Sequence, residues 1–428
     1  MSLFGAMTTA ISGLSAQSKA LGYVSNNLAN SQTVGYKRVD ATFQDMLTQS
    51  NQIVHAPGSV IARPDYTNTL QGPIEQVENN LSLAIGGQGF FSVTASRGQG
   101  SDGQQIFDDR QMFTRAGDFT MDRQGYLRNG SGYYLQGWPV STAGGVDRTT
   151  LQPIQVTQSV FTPLPTTSVE LSANIPALSP PATPADARSF STQVQVYDNL
   201  GKRHALTLNF AQTPGTPGPS NSWDLTVTPN PTSGPISIPI VFGSDGTIQS
   251  FNGVASPVGT AITEVLNMNF GQGPQNITLN LGSFGVPVGL TQYAGNDFTL
   301  RDMRQDGVPP GAYSGIAIRE NGDVAVNYDN GQSRVISRIP LVGFSDADRL
   351  QRLDGQAFMR TIDSGEARIT DVSVNGVGKL VVGAVERSNV DIANEFTKLI
   401  VAQRAYSANT KVVTSSDELL QETINMKR

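Results

Sequence analysis

Side chains suited to acid–base, nucleophilic or metal chemistry are sparse in this sequence. Histidine occurs twice, at His55 and His204, and cysteine is absent, so neither a thiolate or imidazole metal site nor a disulfide has the ligands to form. Each histidine lies in a polar stretch beside a loop or strand, the setting of a solvated surface imidazole. Gly86, Gly87 and Gly89 in IGGQGFF could suggest a phosphate-cradling loop. The third glycine of GxGxxG is missing and no helical pattern follows, so a tight turn ahead of a strand is expected. Two acidic pairs, Asp108 with Asp109 and Glu366 with Asp371, have the residue types of glycosidase carboxylates, yet nothing in their surroundings sets them apart from turn and strand-face carboxylates. GxxxxGK[ST], HExxH, GxSxG and SxxK are absent, which leaves phosphate cradles, zinc proteases and common serine nucleophiles unsupported. The residues predict no enzyme, no cofactor and no metal.

Composition narrows the remaining classes. The chain has 428 residues, of which 15% are charged, with a formal net charge of −6. No basic surface for nucleic acid or anionic lipid follows from that balance. The first basic residue is Lys19, and no charged start followed by a short apolar core marks a cleavable secretory signal. No apolar run approaches the roughly 20 residues of a membrane-spanning helix. Such a length predicts several modules, and 44 glycines, 24 prolines and 7% aromatics suit strands joined by tight turns.

The two ends read as helices. Met7, Leu14, Leu21 and Leu28 recur at seven-residue intervals, with Leu3, Ile11 and Val24 on adjoining positions, which predicts an amphipathic helix from about residue 3 to 28. Asn26, Asn27, Asn30 and Ser31 then end it. At the other terminus a 4,3 spacing runs through Ile392, Phe396, Leu399, Gln403, Tyr406, Thr410, Val413, Asp417, Leu420 and Ile424, a coiled-coil seam with four polar interruptions. Ser388 with Asp391 three residues on resembles a capping box. A long helix with one apolar stripe needs a partner, and the N-terminal helix is the obvious one. Gly13, Ser15, Ala16, Ser18 and Ala20 leave further faces open to close approach, which favours packing between chains over a simple two-helix hairpin.

Between the ends the period changes to 2. Asn321-Gly322, Asn330-Gly331 and Asp245-Gly246 separate alternating runs and predict hairpins. Similar punctuation over residues 118 to 138 and 193 to 210 makes the whole interior β-rich. Proline-rich stretches at 174 to 185 and 211 to 235 read as surface loops.

Four segments carry a family resemblance. SNNLANSQTVGYKR (25 to 38), with Asn26, Asn27, Leu28, Ala29, Asn30, Thr33, Gly35 and Tyr36, resembles the N-terminal signature of the axial proteins of the bacterial flagellum. SNVDIANEFTKLIVAQRAYSANTKVV (388 to 413) resembles their C-terminal signature. IGGQGFFSV (85 to 93) and FTRAGDFTMDRQGYLRNGSGYYLQGWP (113 to 139) are similar to the β-rich domain of hook and distal rod members. The resemblance covers roughly 31 to 145 and 296 to 428 well. Rod members lack a large insertion after the segment matching LQGWP, whereas this chain continues before returning at TQYAGNDFTL (291 to 300), so the hook class is preferred.

The resemblance implies a multidomain chain. Terminal helices at 1–30 and 390–428 would form a coiled-coil-like inner domain. A connecting segment follows at 31–75 and 381–389, a mainly β middle domain at 76–145 and 296–380, and an inserted β-rich outer domain at 146–295. It further implies a helical homopolymer packed through Leu3, Met7, Ile11, Leu14, Leu21, Leu28, Ile392, Phe396, Leu399, Tyr406, Val413, Leu420 and Ile424. Implied partners are the distal rod, the hook cap, the hook–filament junction and the flagellar type III export apparatus, with location at the hook and no cleaved signal. Two rival readings are a stiff distal rod subunit and a secreted glycan-binding adhesin. The latter would need an aromatic pocket, and Trp223 is the only tryptophan of the insertion.

Overall fold

The computed structural model describes residues 3–50, 55–100, 103–141, 144–178, 187–213, 221–229, 234, 236–374 and 376–426, and the side chains of Leu3 and of 48–57, His55 among them, lie outside the described residues. The chain forms two compact units, one of Met1–Gln158, Gly315–Asn327 and Ser333–Arg428, the other of Ser159–Ser314 and Tyr328–Gln332.

In the first unit, helix α1 (Leu3–Ala29) packs against helix α2 (Ile392–Met426). Asp391 caps α2, its Oδ1 accepting from the backbone N–H groups of Ala393 at 2.9 Å and Asn394 at 3.2 Å. This corrects the expected capping box: the cap is the residue directly before Ile392, and Ser388 lies too early to reach the first turn.

The expected connecting segment is a long antiparallel hairpin, β1 (Val39–Ser50) with β2 (His55–Tyr66), in register from Val39 opposite Tyr66. It lies against α1, where Val60 N–H donates to Ser12 Oγ at 3.1 Å and Thr9 Oγ1 donates to the Gly58 carbonyl at 3.3 Å. Two-stranded hairpins are marginal alone, so this one depends on the helix beneath it. Prolines at 57 and 64 fall within β2, which the two-stranded pairing tolerates because each strand keeps an unpaired edge.

The β portion of the same unit is built on an eleven-stranded sheet. Its core includes Leu83, Ile85, Phe91, Phe119, Leu127 and Leu135. Beside it Phe90, Phe113, Phe344 and Phe358 meet edge to face at centroid separations of 4.9 to 5.8 Å, the arrangement that ring quadrupoles favour.

The expected hairpins at Asn321-Gly322, Asn330-Gly331 and Asp245-Gly246 are present, and they share one turn. At the first, Gly322 N–H donates to the Arg319 carbonyl at 2.9 Å while Arg319 N–H donates to that of Asp323 at 2.9 Å. Gly322 has φ of +89° and Asn321 keeps a negative φ. This is a type I turn closed by a glycine bulge, so glycine alone occupies the left-handed region.

The second unit holds two five-stranded sheets around one core. Trp223 is fully buried there with Phe210, Leu225 and Ile240, so the ring belongs to the core and cannot line a sugar site. Strand Gln152–Pro153 pairs with Tyr134–Pro139 of the first unit, and Thr299–Gln305 pairs with Ser168–Pro176 of the second. Both ends of the inserted unit therefore lie later than 146 and 295. Parts of the proline-rich stretches fall outside the described residues.

Candidate assembly site

The residues of the N-terminal signature converge where α1 meets the sheet. Asn27, wholly buried, spends every polar atom. Its Nδ2 donates to the Val39 carbonyl at 2.9 Å and to Glu395 Oε2 on α2 at 3.1 Å, while Oδ1 accepts from Val39 N–H at 2.9 Å and Tyr36 Oη at 3.1 Å. One amide thus ties α1, the start of β1 and α2 together. Glu395 is also buried, and Lys398 Nζ donates to its Oε1 at 2.9 Å and to Asp40. Among the other motif positions, Asn30 Nδ2 bonds Asn26 Oδ1 at 2.9 Å and Thr33 Oγ1 bonds Asn30 Oδ1 at 3.1 Å, closing the helix end. Leu28 is half-buried and Ala29 exposed.

Gly35 follows with φ of +69°, and a Cβ there would fall 2.5 Å from the Ala116 nitrogen. No other residue suits both the backbone and the space. Its N–H donates to the Glu386 carbonyl at 2.8 Å, which sets Lys37 beside the Glu386 carboxylate. Lys37 Nζ lies 2.5 Å from Glu386 Oε1, and Arg115 Nη1 lies 3.0 Å from Oε2, with side-chain exposures of 1%, 0% and 1% for Lys37, Glu386 and Arg115. Burial pulls the Lys37 ammonium down to about 8 and lowers the Arg115 guanidinium, the carboxylate offsetting only part of either effect. Arg352 spans the same joint, donating to the carbonyls of Lys37 at 2.6 Å and Arg38 at 3.1 Å and stacking on Tyr66.

The helix pair itself meets through small residues. Ala10, Ala16, Ala20 and Val24 are buried on α1, and a Cβ on Gly13 would meet Asn409 Nδ2 at 3.0 Å. On α2 the inward positions recur every seven residues as Glu395, Ala402, Asn409 and Ser416, of which Asn409 is half-buried. Of the expected packing residues, Met7, Leu14, Leu21, Leu28, Leu399, Val413 and Leu420 are half-buried flanks of this seam. Ile11, Ile392, Phe396, Tyr406 and Ile424 are exposed, Phe396 by 48% and Ile424 by 66%, and Phe4, Ile400, Val401 and Leu419 are exposed with them. The centre of the seam within the chain is mostly small and polar, large apolar side chains flank it half-buried, and Ile11, Phe396, Ile400 and Ile424 among others face away from it.

Of the residues singled out for chemistry, Asp108, Glu366, Asp371 and His204 have structural partners, while Asp109 is exposed. Asp108 sits between Arg97 at 3.0 Å and Arg110 at 2.7 Å, and hydrogen bonds from Arg110 hold its carboxyl well below the usual range. Glu366 pairs with Arg360, and Asp371 with Arg148 at 2.9 Å. Rather than a solvated imidazole, His204 is a packed one, bonded to Asp198 Oδ2 at 2.9 Å and stacked on Phe270 at 4.3 Å. Gly87 and Gly89, with φ of +112° and +125°, turn the chain ahead of strand Phe91–Thr94. Among the described residues no group of three acidic or imidazole side chains is arranged to hold a metal ion, and no helix is long and apolar enough to cross a membrane. Lys37, Arg115, Glu386 and Glu395 carry no signal as isolated charges; Lys37 and Glu395 do lie inside the two terminal signatures.

Similarity to known proteins follows the same division. Residues 7–37 match the flagella basal body rod protein family, 84–177 the flagellar hook protein FlgE/F/G D1 domain, 165–308 the flagellar basal body protein FlaE D2 domain, and 381–426 the flagellar basal body rod FlgEFG protein C-terminal family. The flagellar hook protein FlgE of Brucella abortus is 32% identical over 429 residues, covering 100% of both chains. The chain belongs to the flagellar hook protein family. The hook protein FlgE of Rhizobium meliloti is 31% identical over 436 residues, again with 100% of each chain covered. In fold, the hook family member FlgE2 of Helicobacter pylori superposes with a TM-score of 0.51 at 15% identity, over 73% of this chain and 100% of that one.

Proposed function

We infer that the chain is the structural subunit of a bacterial flagellar hook and works by polymerising. The observation that carries this beyond family membership is the division of the terminal helices. They meet each other through alanines, a glycine and buried polar groups, and turn Phe4, Ile11, Phe396, Ile400 and Ile424 outward. Large apolar side chains contribute about 1.5–3 kcal/mol each when buried, so these faces favour contact with further copies.

In the finer reading, the terminal helices line a tube, the sheet of the first unit surrounds them and the inserted unit lies outward. The tube transmits torque from rod to filament while bending. The subunit reaches its place through the flagellar type III apparatus and meets the distal rod, the hook cap and the hook–filament junction. The roles are structural rather than enzymatic. A stiff distal rod subunit is the weaker reading, because the relatives that match this chain over its full length, the unit at 165–308 included, are hook proteins. Electron microscopy of sedimented polymer tests the proposal. Curved tubes with α1 and α2 at the smallest radius are expected, and straight tubes, or an inner wall of β-structure, would overturn it.

A further inference from the structure

Helix α2 sorts its free charges by sign along its length. Glu395 is buried against Asn27 and Lys398, Lys398 is held by Asp40 and Glu395, and Asp417 accepts from Gln421 Nε2 at 3.0 Å. The remaining charged residues of the helix are Arg404, Lys411, Glu418 and Glu422. All four are exposed, and among the described residues their side chains have no ion-pair or hydrogen-bond partner.

These four lie on one stripe. Arg404, Lys411 and Glu418 recur every seven residues, two places after the inward positions Ala402, Asn409 and Ser416, and Glu422 follows four residues later. Two places are about 200° of rotation at 3.6 residues per turn, so the stripe runs down the side of α2 that faces away from α1. Its first half is positive and its second half negative. Charges on one helix pair at spacings of three or four, whereas the nearest base and acid here, Lys411 and Glu418, are seven residues apart. The stripe therefore cannot neutralise itself.

A second copy of the same helix can neutralise it. Two α2 helices side by side, parallel and in register, set like charge against like, which is unfavourable. Lys411 and Glu422 are 11 positions apart, and Arg404 and Glu418 are 14. Sliding one helix along the other by that distance, about 17–21 Å at 1.5 Å per residue, sets base against acid throughout the overlap. Ile400, 50% exposed and four positions before Arg404, adds apolar area on the same line.

We propose that neighbouring copies of this chain pack α2 against α2, parallel and offset by about 17–21 Å, with Arg404 and Lys411 of one copy against Glu418 and Glu422 of the next. The proposal rests on the hook reading, because copies related along a tube all point the same way. Each copy uses its basic half on one neighbour and its acidic half on another. Such a contact is heterologous and does not close on a pair, so it propagates into an open polymer.

Charge reversal in the full-length chain tests it, with the critical concentration read by sedimentation. One variant carries Arg404→Glu and Lys411→Glu, a second Glu418→Lys and Glu422→Lys, and a third all four changes. Each double variant sets like charges together at the offset and raises the critical concentration about ten-fold or more. The variant with all four inverts both halves and returns it to within about three-fold of wild type, the coupling expected of paired sites. It holds every substitution of the other two, so its recovery excludes misfolding as the cause of their loss. An equimolar mixture of the two double variants polymerises where neither does alone. Wild-type polymer from both double variants overturns the proposal and leaves the hook reading standing, and so does a four-residue variant no better than the doubles. Soluble pairs of fixed size in place of growing polymer overturn it as well, because antiparallel stripes would close on each other. A wild-type chain that forms no polymer refutes the hook reading and takes this proposal with it.

Discussion

Lys37 and Glu386, 349 positions apart in sequence, form an ion pair with Nζ to Oε1 at 2.5 Å from which water is almost wholly excluded. The pair joins the turn after α1 to the strand Ala384–Glu386 that leads into α2. Position, more than strength, gives it importance, because both helices are anchored to the sheet through it.

Stability should therefore depend on pH through Lys37. Its folded value of about 8 lies below the roughly 10.4 of an unfolded lysine. Between those values the unfolded chain holds more protons, so stability rises with pH through this window. Charged Lys37 is penalised fully below about pH 8, and the penalty fades toward pH 10. The gain is on the order of 3 kcal/mol. Tyr36, whose hydroxyl burial pushes upward, acts in the opposite direction above pH 10, so the comparison is best made between pH 7.5 and 9.5. Urea unfolding of the first unit should show the rise in wild type and lose it in Lys37→Met. Parallel profiles for the two would exclude Lys37 as the source.

Asn27→Ala removes four hydrogen bonds at once and leaves the backbone of Val39 and the Glu395 carboxylate short of partners. Each orphaned buried group costs about 1–3 kcal/mol, not additively, so a loss of about 3 kcal/mol is expected. Because the amide bridges α1 to α2, hydrogen exchange should accelerate in the last turn of α1 and the first two turns of α2 together. Acceleration confined to α1 would mean that the Asn27–Glu395 contact does not couple the helices.

Gly35→Ala tests the turn itself. A left-handed non-glycine residue costs about 1–2 kcal/mol, and the added methyl would collide with the backbone at Ala116, 2.5 Å away. Destabilisation of at least about 2 kcal/mol follows, with loss of the Lys37–Glu386 register. Wild-type stability in this variant would show that the turn can relax without disturbing the sheet.

The seven-residue repeat of Met7, Leu14, Leu21 and Leu28 makes α1 legible, because periodicity needs no partner to be visible. It does not reveal which side faces inward. Ala10, Gly13, Ala16 and Ala20 make that contact, and small residues contribute little to an apolar pattern even where close approach depends on them. The β1–β2 hairpin is hidden for another reason: TFQDMLTQ does not alternate, and prolines at 57 and 64 argue against a strand unless it is an edge. Lys37, Arg115 and Glu386 are ordinary charges in sequence, and only the fold brings them together. The hairpins at Asn321-Gly322 and Asp245-Gly246 were readable because a left-handed glycine is a local requirement.

The outward face of α2 gives the sharpest test of assembly. Leu399 lies on the flank of the seam within the chain, so changing it disturbs both monomer and polymer. Lys398 is no neutral control, since it bridges Asp40 and Glu395. Phe396 and Ile400, each about half exposed, separate the two effects. Phe396→Ser and Ile400→Ser should leave monomer stability within about 0.5 kcal/mol of wild type, as surface changes do. In a polymer each lost side chain removes the burial of its remaining exposed half, about 0.8–1.5 kcal/mol per subunit, which raises the critical concentration about four- to twelve-fold, about ten-fold per 1.4 kcal/mol. Exposed Lys19→Gln on α1 should change neither quantity. The measurement is sedimentable polymer against total chain for all three variants. Wild-type polymer yield from Phe396→Ser and Ile400→Ser together would show that the exposed stripe of α2 faces solvent in the assembled state, and subunit contacts would then have to be sought on the sheet.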